Sequence, residues 1–140
     1  AIVDIERMLK SPQSVAKEHA QWAIFSNLQT RNHEQQLING SFGMLWADLD
    51  KLHDSFTIEV VTTLLSDITT AKAYVYHTSS STTLAPCYRI LIPLNEPLSG
   101  ADFKASQRVL NDKLEMRGLT PDRSTERTGQ VCYLPNIIPN

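Results

Sequence analysis

Two strand-length apolar runs, KAYVYHT (72–78) and YRILIPL (88–94), are separated by little more than the loop SSSTTLAP. A parallel return needs a crossover of about a dozen residues or more, so a link this short joins neighbouring antiparallel strands. Helical periodicity flanks the pair. Phe56, Val60, Val61, Leu64, Leu65 and Ile68 fall on one helical face behind a cap from Asp54 or Ser55. Downstream, Ser99 with Asp102 three residues on resembles a capping box. Phe103, Leu110 and Leu114 form the stripe of that second helix, and Gly118 is its stop.

Further elements complete the pattern. Ser11-Pro12 reads as a helix start, and Ala16, Ala20, Ile24 and Leu28 recur at spacings of four, so a helix is expected over 12–28. LQTRNHEQQLINGS is polar and ends in an Asn39-Gly40 turn. FGMLWADLD (42–50) is a short buried strand, and GQVCYLPN carries another near 129–134. The order α-β-α-β-β-α-β argues an α+β fold, with helices on one face of a mostly antiparallel sheet. A chain of 140 residues suits one domain spanning 1–140. No methionine begins it, so a fragment of a longer protein or a processed product is expected.

No apolar run approaches the roughly 18 residues that span a bilayer, and no signal peptide is visible at the N-terminus. Cys87 and Cys132 lack metal-ligand spacing and read as reduced core thiols of a cytoplasmic protein. A net charge of −2 means that a nucleic-acid partner needs a local basic patch.

Polar chemistry collects at strand ends and in the loops beside them. Asp48 and Asp50 close the first strand on same-face positions, where two carboxylates repel unless a cation or strong donors compensate them. His77 and the run Thr78-Ser79-Ser80-Ser81-Thr82 follow the second strand, and Arg89 lies within the third. Asp122, Arg123 and Arg127 precede the last. A guanidinium inside an apolar strand needs an anion, and either a phosphate or a carboxylate such as Glu59 or Asp67 satisfies it. Carboxylates, Arg and hydroxyls together fit metal-assisted phosphoryl or nucleotidyl transfer. Singly each has an ordinary reading: a solvated strand end, a flexible loop, a surface histidine, and a Pro-Asp turn at Asp122.

In order and spacing, GMLWADLDK, YVYHTSSST, YRILIPLNEPLSG and PDRSTERTGQVCYLPN resemble the primase–polymerase domains of the archaeo-eukaryotic primase superfamily. The resemblance is to the replication-protein versions of phages, prophages and plasmids, and it covers roughly residues 30–136. It implies a mixed, mostly antiparallel RRM-like sheet with helices packed on it. It also implies a DNA-directed nucleotidyltransferase in which Asp48, Asp50 and Asp122 hold two Mg²⁺ or Mn²⁺ ions. Arg89, Ser79, Ser80 and His77 are then the phosphate-binding candidates, and Arg31 and Arg127 candidate template or nucleotide contacts. Single-stranded DNA template and nucleoside triphosphates are the implied partners, with a helicase domain or subunit as a companion. One departure stands out. The family's second motif places a histidine after a small hydroxyl residue, whereas His77 precedes Thr78-Ser79-Ser80.

That departure keeps an alternative open: a catalytically weakened DNA-binding replication-initiation module of the same fold. A metal-dependent nuclease is a further rival, but His33, His53 and His77 do not form the paired-histidine motif that such nucleases carry.

Overall fold

A computed structural model describes residues 2–16 and 19–136. Helix α1 (Ile2–Lys10) precedes the two-residue strand β1 (Trp22–Ala23) and helix α2 (His33–Asn39). Strand β2 (Ser41–Leu49), helix α3 (Ile58–Ser66), and strands β3 (Tyr74–His77) and β4 (Tyr88–Ser99) follow. Helix α4 (Gly100–Glu115), a 3₁₀ turn over Arg123–Glu126 and strand β5 (Cys132–Tyr133) complete the order. The sheet runs β2-β4-β3 and β5 pairs with β1 in a separate ribbon, every strand pairing being antiparallel. The chain is α+β, as expected.

Strand alternation sorts the core into two layers. Met44, Trp46, Leu91, Tyr74 and Tyr76 pack on one face with Ile5 of α1 and Cys132 of the ribbon. Ala47, Leu49, Tyr88, Ile90 and Ile92 pack on the other with Val61 and Leu65 of α3 and Leu110 and Leu114 of α4. The expectation of helices on one face therefore holds for α3 and α4, while α1 and the ribbon cover the opposite face.

The N-terminal third departs most from expectation. No helix spans 12–28, of which residues 17 and 18 lie outside the described residues. Helix α1 ends at Lys10, where the Ser11 N–H still bonds Arg7 O at 2.9 Å, and Pro12 follows the stop instead of opening a helix. Ala20 is buried at a bend before β1 and Ile24 directly after it, while Trp22 within β1 is exposed. The polar stretch before Gly40 is helical. Asn32 caps α2 by accepting from the Gln35 N–H, and the Gln36 amide donates to Leu28 O and Thr30 O at 2.9 and 2.8 Å.

Smaller shifts have equally local causes. Thr57, not Asp54 or Ser55, caps α3, because Ser55 is engaged by His53 at 2.8 Å. The run YRILIPL, with Pro93 inside it and Pro97 just beyond, reads as a strand closed by those prolines, yet β4 continues through both to Ser99. Strand β3 pairs only with Tyr88–Leu91, so beyond Ile92 that side of β4 is an edge that tolerates a missing N–H. Ser99 caps α4 through the Asp102 N–H, and Gly118 takes φ 82° at the exit from α4, as the sequence predicts.

Both cysteines are free and buried. Burial pushes the Cys132 thiol up to about 12, and the thiolate is the reactive form. Neither thiol is expected to react within minutes with an alkylating reagent at pH 8 until denaturant is added, when both should. Mass spectrometry of labelled protein checks this; rapid single labelling of the native chain contradicts it.

Candidate metal centre

Asp48, Arg89 and Tyr76 occupy one row across the sheet, since Asp48 pairs with Arg89 and Arg89 with Tyr76 in the two ladders. The row therefore presents all three side chains on one face. Asp50 follows β2 by one residue, before the chain turns at Lys51 with φ 48°. Asp122 arrives from far along the sequence. Pro121 bridges to Leu49, and the Asp122 N–H bonds the carbonyl of Asp48 at 2.8 Å. These contacts bring oxygens of Asp48, Asp50 and Asp122 within 4.8 Å of one another.

Each carboxylate has a different setting. Asp48 is half-buried, while Asp50 and Asp122 are exposed. Asp122 accepts from the Ser124 N–H at 2.9 Å and so also caps the 3₁₀ turn. Burial raises the Asp48 carboxyl above its ordinary range. Arg89 opposes that shift, but repulsion from Asp50 and Asp122 adds to it. Three carboxylates thus face one guanidinium, and their ionised forms crowd each other in the way a divalent cation relieves. An all-oxygen donor set suits a hard cation such as Mg²⁺ or Mn²⁺, so the residues present fit the expected metal.

Arg89 lies among these groups but is committed within the chain. Its Nη2 meets both oxygens of Asp48 at 3.3 Å, and its Nη1 donates to Tyr133 O at 2.7 Å. The Tyr76 hydroxyl donates to the same carbonyl at 2.9 Å, which staples β5 to the sheet. Neither Glu59 nor Asp67 is the partner of Arg89; Asp48 is. Burial disfavours the charged guanidinium, yet the acidic groups of Cys132, Asp48 and Tyr76 outweigh it and hold the proton more firmly than usual.

The carboxylates line a cleft of ≈ 260 Å³ together with Thr78, Ser79 and Ser80. Ser79 and Ser80 are thus brought to the carboxylates as the sequence reading expects. His77 is not. It pairs with Tyr88, whose side chain packs on the opposite face, and its ring lies 4.9 Å from that of Tyr88. His77 Nδ1 contacts Ser81 Oγ at 2.9 Å and lines a separate hollow with Asp54 and Glu59. Arg127 lines another hollow with His33 and Lys104, and Arg31 is exposed outside the carboxylate cleft.

Tyr76, Ser124, Gln130 and Asn136 also line the cleft, although the sequence reading did not single them out. Tyr76 alone carried a signal, through its alternation with Tyr74. A larger hollow, ≈ 950 Å³, lies between α4, the middle of β4 and the segment 68–74. Its walls are mostly apolar and bring no carboxylates together, so the chemistry is assigned to the smaller cleft. Among the described residues no helix is long and apolar enough to cross a membrane. No protein-family model, curated protein or solved structure matches the chain.

Proposed function

We propose that the chain is a primase–polymerase-type nucleotidyltransferase domain of a mobile-element replication protein, working in the cytoplasm beside a helicase domain or subunit. The carrying observation is the convergence of Asp48, Asp50 and Asp122 within 4.8 Å, in one cleft with the hydroxyl loop. Those carboxylates would hold Mg²⁺ or Mn²⁺, which supplies Lewis-acid stabilisation of phosphoryl oxygens and a more acidic attacking hydroxyl. Thr78, Ser79 and Ser80 offer hydroxyl donors to a triphosphate entering the cleft. The role of Arg89 in this reading shifts from grasping phosphate to holding Asp48 in place, because both terminal nitrogens already have protein partners.

One observation favours the alternative, a DNA-binding module with weakened catalysis. With His77 on the other face, no imidazole among the described residues lines the cleft that holds the three carboxylates with Thr78, Ser79 and Ser80. The two readings separate in one assay. With Mn²⁺, nucleoside triphosphates and a primed single-stranded template at low salt, the catalytic reading expects slow primer extension. Low salt is needed because a chain of net charge −2 has little general attraction for DNA. Template binding without product selects the binding module, and absence of both rejects the superfamily assignment.

A further inference from the structure

Strand β2 lies at one edge of the sheet, and its outer side is satisfied by partners that are not a paired strand. Near its start, Asn27 N–H bonds Ser41 O and Gly43 N–H bonds Phe25 O, at 3.1 and 3.0 Å. At its end, Asp122 N–H bonds Asp48 O. Between them one side chain does the work of a strand. The Trp46 N–H donates to Gln107 Oε1 at 2.9 Å, and Gln107 Nε2 donates back to Trp46 O at 2.9 Å. This doubled pairing is what an antiparallel neighbour provides at alternate residues.

The Gln107 amide does not stop there. Its Nε2 also donates to Thr125 O at 2.7 Å. Thr125 is itself fully buried, and its hydroxyl donates to Asp122 O at 3.2 Å. A second α4 amide, Asn111, donates to Thr125 Oγ1 at 3.1 Å and to Glu126 Oε2 at 3.0 Å. Both N–H groups and the oxygen of Gln107 are therefore engaged, in a fully buried site. Flipping the amide would set oxygen against two carbonyls and NH₂ against an N–H, so the network admits one orientation.

We propose that Gln107 is a positioning residue for the carboxylate cluster, a single amide that ties β2 two residues before Asp48 to the backbone three residues after Asp122. Building on the metal reading, it assigns to α4 the control of the spacing between the Asp48–Asp50 arm and the Asp122 arm. Edge protection alone would need only the bonds to Trp46. The third bond, to Thr125, couples the two arms. Groups hydrogen-bonded to a metal ligand commonly change affinity by about 10–100-fold when removed, and Gln107, which bonds the backbone beside the ligands, belongs at the lower end of that range.

The test compares Mn²⁺ affinity, by calorimetry and by the electron paramagnetic resonance of the bound ion, in the unaltered chain, Gln107→Met and Val61→Ala. Methionine is close in size and uncharged, so a change in affinity cannot come from net charge. Val61 is fully buried in the opposite layer and provides a melting-temperature loss remote from the cleft. Gln107→Met is expected to weaken Mn²⁺ binding by about 10-fold or more and to broaden the bound-ion spectrum. Val61→Ala should leave both within about twofold of the unaltered chain, the scatter allowed for an independent site. Unchanged affinity in folded Gln107→Met overturns the positioning role and leaves the metal reading standing. Absence of Mn²⁺ binding in the unaltered chain overturns both. If Gln107→Met does not fold, a Mg²⁺ titration of the unaltered chain followed by NMR decides. The Gln107 side-chain amide must shift in step with the Asp122 backbone amide, and an unmoved side-chain signal overturns the role.

Discussion

Arg89→Met is expected to lower unfolding free energy by about 3 kcal/mol, the lower end for breaking one half of a buried ion pair. The side chains of Arg89 and Asp48 are only 12% and 15% exposed, so water does little to replace the lost partner. Asp48 would then face Asp50 and Asp122 with no counter-charge beside it. The carbonyl of Tyr133 would lose its 2.7 Å donor and keep the Tyr76 hydroxyl and the weak Cys132 thiol donor at 3.8 Å, loosening β5 on the sheet. For a chain this size the midpoint of thermal unfolding should fall by roughly 10 °C. Arg89→Lys should recover only part of the loss, because one ammonium cannot copy a fork that reaches two partners. If the carboxylates hold a divalent ion, added Mn²⁺ should narrow the gap between variant and parent. Denaturant titration is the measurement. A loss under about 1 kcal/mol, typical of an exposed pair, would show that solvent already screens the contact.

That expectation was not available from sequence alone, and the reason is register. The sequence placed Arg89 in a strand and required an anion for it, but a strand does not announce its neighbour. Only the pairing of Asp48 with Arg89 across β2 and β4 makes the anion a carboxylate of the cleft itself. His77 shows the same gap. Its nearness in sequence to Ser79 and Ser80 suggested a common site, whereas strand alternation sends it to the face of Tyr88.

Features written in local chemistry were readable. The Ser99 cap, the left-handed Gly118 and the stripe of Phe103, Leu110 and Leu114 all follow from spacing within or beside one helix, and the closeness of Asp48 and Asp50 follows from theirs, although β2 ends at Leu49 between them. The short helix α2 was missed because its seven residues lack an apolar stripe; the tertiary bonds of Gln36 secure it instead. Ser11-Pro12 was ambiguous by nature, since proline is at home both just inside a helix start and just past a helix end. The convergence of Asp122 on Asp48 was anticipated only through the family resemblance, because it depends on a bridge between residues 72 apart in sequence, Leu49 and Pro121.

Asp122→Asn is expected to reduce Mn²⁺-dependent nucleotide incorporation by at least about 100-fold, the scale of loss when reacting groups are held even slightly out of place. The substitution is unusually clean. Asparagine keeps a side-chain oxygen able to accept the Ser124 N–H, so the cap of the 3₁₀ turn survives. The backbone bond from the residue 122 N–H to Asp48 O is untouched by a change of side chain. What disappears is one of the three negative charges within 4.8 Å, and with it an anionic ligand. Like-charge crowding on Asp48 eases at the same time, because Asp122 is one of the groups that raise its carboxyl. Metal-free stability should therefore hold or rise slightly, while Mn²⁺ affinity by calorimetry falls. Loss of incorporation together with loss of fold would point to a structural carboxylate. Unaltered affinity and unaltered incorporation would remove Asp122 from the centre and leave Asp48 and Asp50 without the third arm on which the nucleotidyltransferase reading depends.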